Sequence, residues 1–278
     1  MISTSRKYDY YSHVAGQNFP KSLQPYYYGI HALFLEALKS REISKETSIC
    51  NTRLMWWEQS LIDIEKGHKA KEPVTRVLQE AMSKTPINMN LLKRIVNYQM
   101  FDIDRGDIQT MKELEVYAEN TRSMLLYLNL HLLRIDDKNA LSAASHLGRC
   151  IGLCDVIKKI PFYLAKNRGY MPNELLLKHN LHFDKIWDSR REGIVQEEFF
   201  DVILEVAAYA KKHLELGREF GDKLPKHTHR AFLLSIEAEQ FLKDLEAYNF
   251  NIFEEHFRKK YYLKIPFRMY RAAKNEKF

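Results

Sequence analysis

Apolar residues fall at the spacing of a helix face from one end of the chain to the other, and no stretch alternates with the two-residue period of a half-buried strand. Leu54, Trp57, Leu61 and Ile64 sit at i, i+3, i+7 and i+10, and Ala144, Leu147, Ile151 and Cys154 repeat the pattern further on. Side chains so spaced line one side of a helix and need a partner face to cover them. With only 10 Gly and 8 Pro in 278 residues, the turns that a sandwich or barrel requires are missing. An all-α fold follows. Aromatic residues make up 12% of the chain, enough to fill a large core. No repeat, low-complexity stretch or linker divides it, so residues 1–278 read as one domain.

The spacing predicts a helix over about 26–41 after Pro25, then one capped by Ser44 or Thr47 and ended by Gly67 and Pro73. Further helices are expected over about 74–84, 88–104, 108–133, 195–217 and 226–247. The most informative runs from about 138 to 160 and kinks onward past Pro161. It carries Gly148 and Gly152 one turn apart. Each glycine costs up to about 1 kcal/mol of helix propensity against alanine, so the pair needs a reason. Close approach of another helix backbone is the expected one; a phosphate cradle would sit at a helix start, not in its middle.

The net charge of +7 favours anionic partners in general, but it is spread along the chain and singles out no nucleic-acid surface. Cys50, Cys150 and Cys154 are odd in number and form no CxxC pair, which points to a reducing compartment. No apolar run is long enough to span a bilayer. The N-terminus reads as neither a signal peptide nor a transit peptide, so an imported protein of this sequence would be processed or truncated. GxSxG, P-loop and GxGxxG patterns are absent.

Three stretches in order carry a family likeness: Tyr28-Gly-Ile-His-Ala-Leu-Phe34, Leu114-Glu-Val-Tyr-Ala-Glu-Asn-Thr-Arg-Ser-Met-Leu-Leu-Tyr127, and Leu147-Gly-Arg-Cys-Ile-Gly-Leu-Cys-Asp155 running on through Arg168-Gly-Tyr-Met-Pro172. Together they resemble the squalene/phytoene synthase family, over about residues 8–270. The resemblance implies the isoprenoid-synthase fold: a single-domain helical bundle around a central pocket. In active members two DxxxD motifs face each other there. Aspartates four apart share a helix face and hold Mg²⁺ through hard oxygen ligands, and the ions neutralise the departing diphosphate.

This chain departs from that pattern at both places. After Phe34 it reads Leu35-Glu-Ala-Leu-Lys-Ser-Arg-Glu42, without an aspartate, and Glu42 with Glu46 is a poor substitute interleaved with Lys45. Lys159 and Tyr163 fall where the second pair is expected. An ammonium about 5 Å from a dication at an effective dielectric of about 20 costs on the order of 6 kcal/mol. Metal-dependent ionisation of a prenyl diphosphate is therefore expected to be lost, with no catalytic residue, metal or cofactor.

Leu114-Glu-Val-Tyr-Ala-Glu-Asn-Thr121, Ala143-Ala-Ser-His-Leu-Gly148 and Tyr248-Asn-Phe-Asn-Ile-Phe253 resemble a non-catalytic branch of the family, whose members assemble mitochondrial complex I. That likeness implies a protein on the matrix side of the inner membrane, with complex I subunits or other assembly factors as partners and no nucleic acid. Two other readings stay open: a lipid or isoprenoid carrier, and a divergent prenyl-diphosphate transferase using Glu42, Glu46 or Asp155.

Among candidate sites, Lys159, Tyr163 and Arg168 line the relic pocket and are candidates for binding an anion without metal; the plainer alternative makes Lys158 and Lys159 a solvated helix end before Pro161. Asp102, Asp104 and Glu113 hold positions 1, 3 and 12 of a calcium loop, but Gly106 and Asp107 are in swapped order. His227 and His229 lack further ligands and read as a polar helix start. The segment 258–278 interleaves Arg258, Lys259, Lys260, Lys264, Arg268, Arg271, Lys274 and Lys277 with Tyr261, Tyr262, Phe267 and Tyr270. Peripheral contact with an anionic membrane or an acidic partner, and inward packing of those aromatics, are equally compatible with it.

Overall fold

The computed structural model describes residues 2–166, 169–191 and 196–276, and among them regular structure is helical throughout. The first half runs α1 (Ile2–Tyr8), α2 (Tyr10–Gln17), α3 (Gln24–Ser40), α4 (Thr47–Glu65), α5 (Pro73–Lys84), α6 (Met89–Asp104), α7 (Met111–Ala118) and α8 (Met124–Leu132). The second half runs α9 (Lys138–Ala165), α10 (Asn173–Lys178), α11 (Phe183–Arg191), α12 (Glu198–Arg218), α13 (Leu234–Ala247) and α14 (Lys264–Asn275).

Local chemistry sets most boundaries. Asp9, Asn88, Thr110 and Asp137 each accept a hydrogen bond from a backbone N–H in the first turn of α2, α6, α7 and α9. Two expected signals act differently. Ser44 caps no helix but accepts from the Glu46 N–H at 3.0 Å, and α4 begins at Thr47 without a side-chain cap. Pro73 opens α5, where its missing N–H is harmless, and Gly67 alone turns the chain out of α4 with φ +84°.

α9 is the axis of the molecule. Its 28 residues are continuous through Pro161, so Lys158 and Lys159 are not a helix end, and the reading of them as one is corrected. α9 buries residues on all sides because α7, α8, α12 and α13 pack around it. α7 and α8 form one continuous helix joined by a π-helical turn, Glu119–Ser123. This turn and the last residue of α7 lie against the two glycines. A Cβ on Gly148 would stand 2.3 Å from Ser123 Cα, and one on Gly152 would stand 2.6 Å from the Ala118 Cβ. Close backbone packing is thus the reason for the pair, as its mid-helix position implied. The buried apolar residues of all these helices form one contiguous cluster.

The calcium-like loop is dispersed. Asp102 is buried in ion pairs, Asp104 accepts from Asn51 at 2.9 Å, and Glu113 accepts from the Gln109 N–H at 2.8 Å. His227 and His229 flank the start of a short 3₁₀ turn, Thr228–Phe232, with His227 beside Glu276 at 3.1 Å. The three cysteines are buried and free.

Candidate functional site

The centre of the bundle holds charge where a substrate chain would need space. Arg122, projected from the π turn, bonds Asp155 of α9 at 2.5 Å and Asp9 at 3.1 Å, and its guanidinium lies over the Phe34 ring at 5.0 Å. Lys158 extends the array, 3.5 Å from the other Asp155 oxygen and 2.6 Å from Glu237 of α13. Five groups therefore alternate in sign from Asp9 to Glu237. Burial alone would raise the Asp9 carboxyl, but Arg122 and the Ser12 hydrogen bonds outweigh it and hold Asp9 well below the usual carboxylate range. Burial would likewise lower Lys158, yet Glu237 and Asp155 keep it firmly protonated. Burial raises Glu237, and Lys158 offsets that only in part. Beside this array, His31 stacks on Tyr27 at 4.0 Å, and burial drives its pKa down to about 3, leaving it neutral.

The consequence is a closed depth and an open mouth. Around Phe34, Arg122, Asp155 and Lys159 the remaining cavity is about 10 Å³, room for at most one water. Outward from it a cavity of about 370 Å³ opens between α3, α6 and α9. Lys159 and Tyr163 both line this mouth, so the structure brings together two of the three expected pocket residues. Arg168 lies outside the described residues.

Arg41, Gln99 and Tyr170 are among the lining residues that sequence reasoning missed. Tyr163 stacks on Tyr170 at 4.3 Å, and the Tyr170 hydroxyl donates to Asp102 at 2.5 Å. Arg41 and Arg105 both hold Asp102, at 2.5 and 2.7 Å. Burial, then the Asp102 charge, pushes the Tyr170 phenol well up, so it stays a donor. Burial also raises Tyr163, with the Lys159 charge opposing. Gln99 is buried, and among the described residues its Nε2 has no hydrogen-bond partner. Lys159 makes no ion pair among the described residues. Among the described residues the lining therefore sets two cations, Arg41 and Lys159, against one carboxylate, Glu42. The single signal for Tyr170 was its place two residues after Arg168; Arg41 and Gln99 announced themselves in no pattern.

Such a lining does not fit a Mg²⁺–diphosphate centre. Asp155 is held by Arg122 and Lys158, Glu46 does not join Glu42 in the wall, and Lys159 puts an ammonium in the cavity. Among the described residues no three His, Cys, Asp or Glu side chains are arranged to hold a metal ion.

A helical bundle wound about one buried axial helix, with a side mouth beside a closed centre, is an all-α isoprenoid-synthase fold. A dehydrosqualene synthase of known structure superposes with a TM-score of 0.81 over 99% of this chain and 94% of its own, at 18% identity. Residues 5–267 match the squalene/phytoene synthase family, and the chain belongs to it. Mouse NADH dehydrogenase (ubiquinone) complex I, assembly factor 6 is 28% identical over 265 residues, 95% of this chain and 78% of that protein. The presqualene diphosphate synthase of Rhodopseudomonas palustris is 24% identical over 127 residues, 45% of this chain and 44% of the enzyme.

Proposed function

We propose that this protein is a non-enzymatic assembly factor for mitochondrial complex I, acting on the matrix side of the inner membrane through contacts with complex I subunits or other assembly factors. The geometry that carries the non-enzymatic part is Asp155. The carboxylate best placed to serve a metal is bonded at 2.5 Å to Arg122, and the space before it is about 10 Å³. The likeness to assembly factor 6 over nearly the whole chain supports the assembly part; a shorter and weaker likeness links it to a synthase. Removing the gene should lower assembled complex I on native gels while leaving prenyl-lipid levels unchanged; normal complex I would sink the proposal. Turnover of labelled prenyl diphosphates by the pure protein with Mg²⁺ would sink its non-enzymatic half.

A second reading has its own observation: Lys159 and Gln99 both line the mouth, and the buried Gln99 Nε2 finds no partner among the described residues. A buried donor left without an acceptor costs about 1–3 kcal/mol. An acceptor-rich head group, held by Lys159, Tyr163 and Gln99 without metal, would recover that loss. Under this reading the protein is also a carrier of a small lipid or isoprenoid. Native mass spectrometry of gently purified protein tests it: a bound mass lost in Lys159→Ala supports the carrier, and an empty wild-type chain rejects it.

A further inference from the structure

The last helix presents an apolar face to solvent. α14 buries Ile265, Met269 and Ala273, four apart, against α2, α13 and the Thr228–Phe232 turn. Opposite that stripe, where a surface helix is ordinarily polar, stand Phe267 and Tyr270, and Leu263 immediately before the helix continues the same spacing. Leu263 is 84% exposed, Phe267 66% and Tyr270 58%, and Tyr262 beside them is 63% exposed. Tyr261 is the exception among these aromatics: it turns inward, donating its hydroxyl to Asp244 at 3.0 Å.

Cations surround the stripe. Lys260, Lys264, Arg271 and Lys274 are exposed, and none makes an ion pair among the described residues. Lys264 leans over the Tyr261 ring at 5.3 Å and Lys260 over Tyr10 at 5.7 Å. Arg268 belongs to a different set: it bonds Glu239 at 2.6 Å and is committed to α13. Lys259 is likewise paired, with Glu255 at 3.0 Å.

We infer that α14 docks the protein on an anionic lipid bilayer, lying flat with Leu263, Phe267 and Tyr270 among the acyl chains and Lys260, Lys264, Arg271 and Lys274 at the head groups. Charge and shape select this occupant. A short helix with an aromatic and aliphatic face bordered by lysine is the form that settles at the head-group boundary, about 5–10 Å deep. An acidic protein surface is the rival, but interfaces between proteins are depleted in lysine, and three of the four free cations here are lysines. This inference stands on α14 alone and is independent of the assembly reading, which does not depend on its outcome.

Co-sedimentation of the full chain with vesicles tests it, comparing pure phosphatidylcholine with phosphatidylcholine–phosphatidylglycerol mixtures. Binding is expected only to the anionic vesicles, falling as salt rises, since the attraction acts within a Debye length. Lys264→Gln and Arg271→Gln should each weaken partitioning about fivefold. Leu263→Ser with Phe267→Ser should abolish it at low salt while circular dichroism stays unchanged, because both side chains face water in the free protein. Phe267→Trp should be quenched by brominated acyl chains. Equal binding to neutral vesicles, no binding to either, or full binding by the serine variant would each overturn the inference; the second outcome would assign the face to an acidic protein.

Discussion

Replacing Gly148 with alanine sets two effects against each other with opposite signs. In an isolated helix the change stabilises by about 1 kcal/mol. Here the new Cβ would lie 2.3 Å from Ser123 Cα and 2.6 Å from its N, where ordinary carbon contacts start near 3.4 Å. The obstacle is the backbone of the π turn, so no rotamer relieves it, and α9 must move away by about 1 Å. Overpacking of this kind costs up to about 3 kcal/mol. The net expectation is a loss of about 2 kcal/mol, a fall in melting midpoint of roughly 4 °C for a chain of this size. Urea titration and thermal melts followed by circular dichroism read it directly. Ser123→Gly should not rescue the variant, since Cα and N remain. A Gly148→Ala protein as stable as the parent, or stabler, would refute the claim that the glycine exists to admit a neighbouring helix.

Arg122→Met should cost about 3–5 kcal/mol in chemical denaturation, because it takes the Arg122 ion pair from Asp9 and leaves Asp155 with Lys158 alone; a neutral result would dissolve the array. His31 supplies a pH dependence: unfolded it takes a proton below about 6.5, folded only below about 3, so stability falls as pH falls through that window. His31→Phe, which keeps the stack on Tyr27, should flatten this acid limb, and an unchanged pH profile would count against the buried neutral ring. Gln99→Leu should raise the stability of ligand-free protein by about 1 kcal/mol while removing any retained head group; destabilisation of the empty chain would show that the amide has a partner.

How much of this was legible beforehand depends on whether the cause was local. The helices from 26 to 165 declared themselves because apolar period, caps and glycine act within a turn or two. Even the Gly148/Gly152 contact was readable, since the cost of two helix glycines demanded a neighbour. α1, α2, α10, α11 and α14 were missed: the first four are short, and α1 in particular has no apolar stripe of its own, so packing decides them, while the Ile265, Met269 and Ala273 stripe of α14 was hidden among the basic and aromatic residues around it. At the site, Lys159 and Tyr163 were found because the family pattern marks their positions. Gln99 and Arg41 arrive from α6 and the end of α3, with Asp102 far from Arg41 in sequence, and no single-chain spacing encodes such a meeting. The same holds for the Lys158–Glu237 pair, which turned an expected solvated end into an interior bond.

The π turn at Glu119–Ser123 has a consequence for how the long α7–α8 rod is phased. A π turn holds one residue more than the α-helix around it, and each residue advances the helix by about 100°. Removing that extra residue would let the segment relax to plain α-helix with the faces on either side still in phase, so Leu114 and Tyr117 would keep their places in the core. A deletion in the regular turns of α8 has no such slack: it would rotate everything N-terminal to it by about 100° and bring Glu113 to where Leu114 packs. The turn thus works as an expansion joint in an otherwise rigid rod. A one-residue deletion within Glu119–Ser123 should be better tolerated than the same deletion in α8.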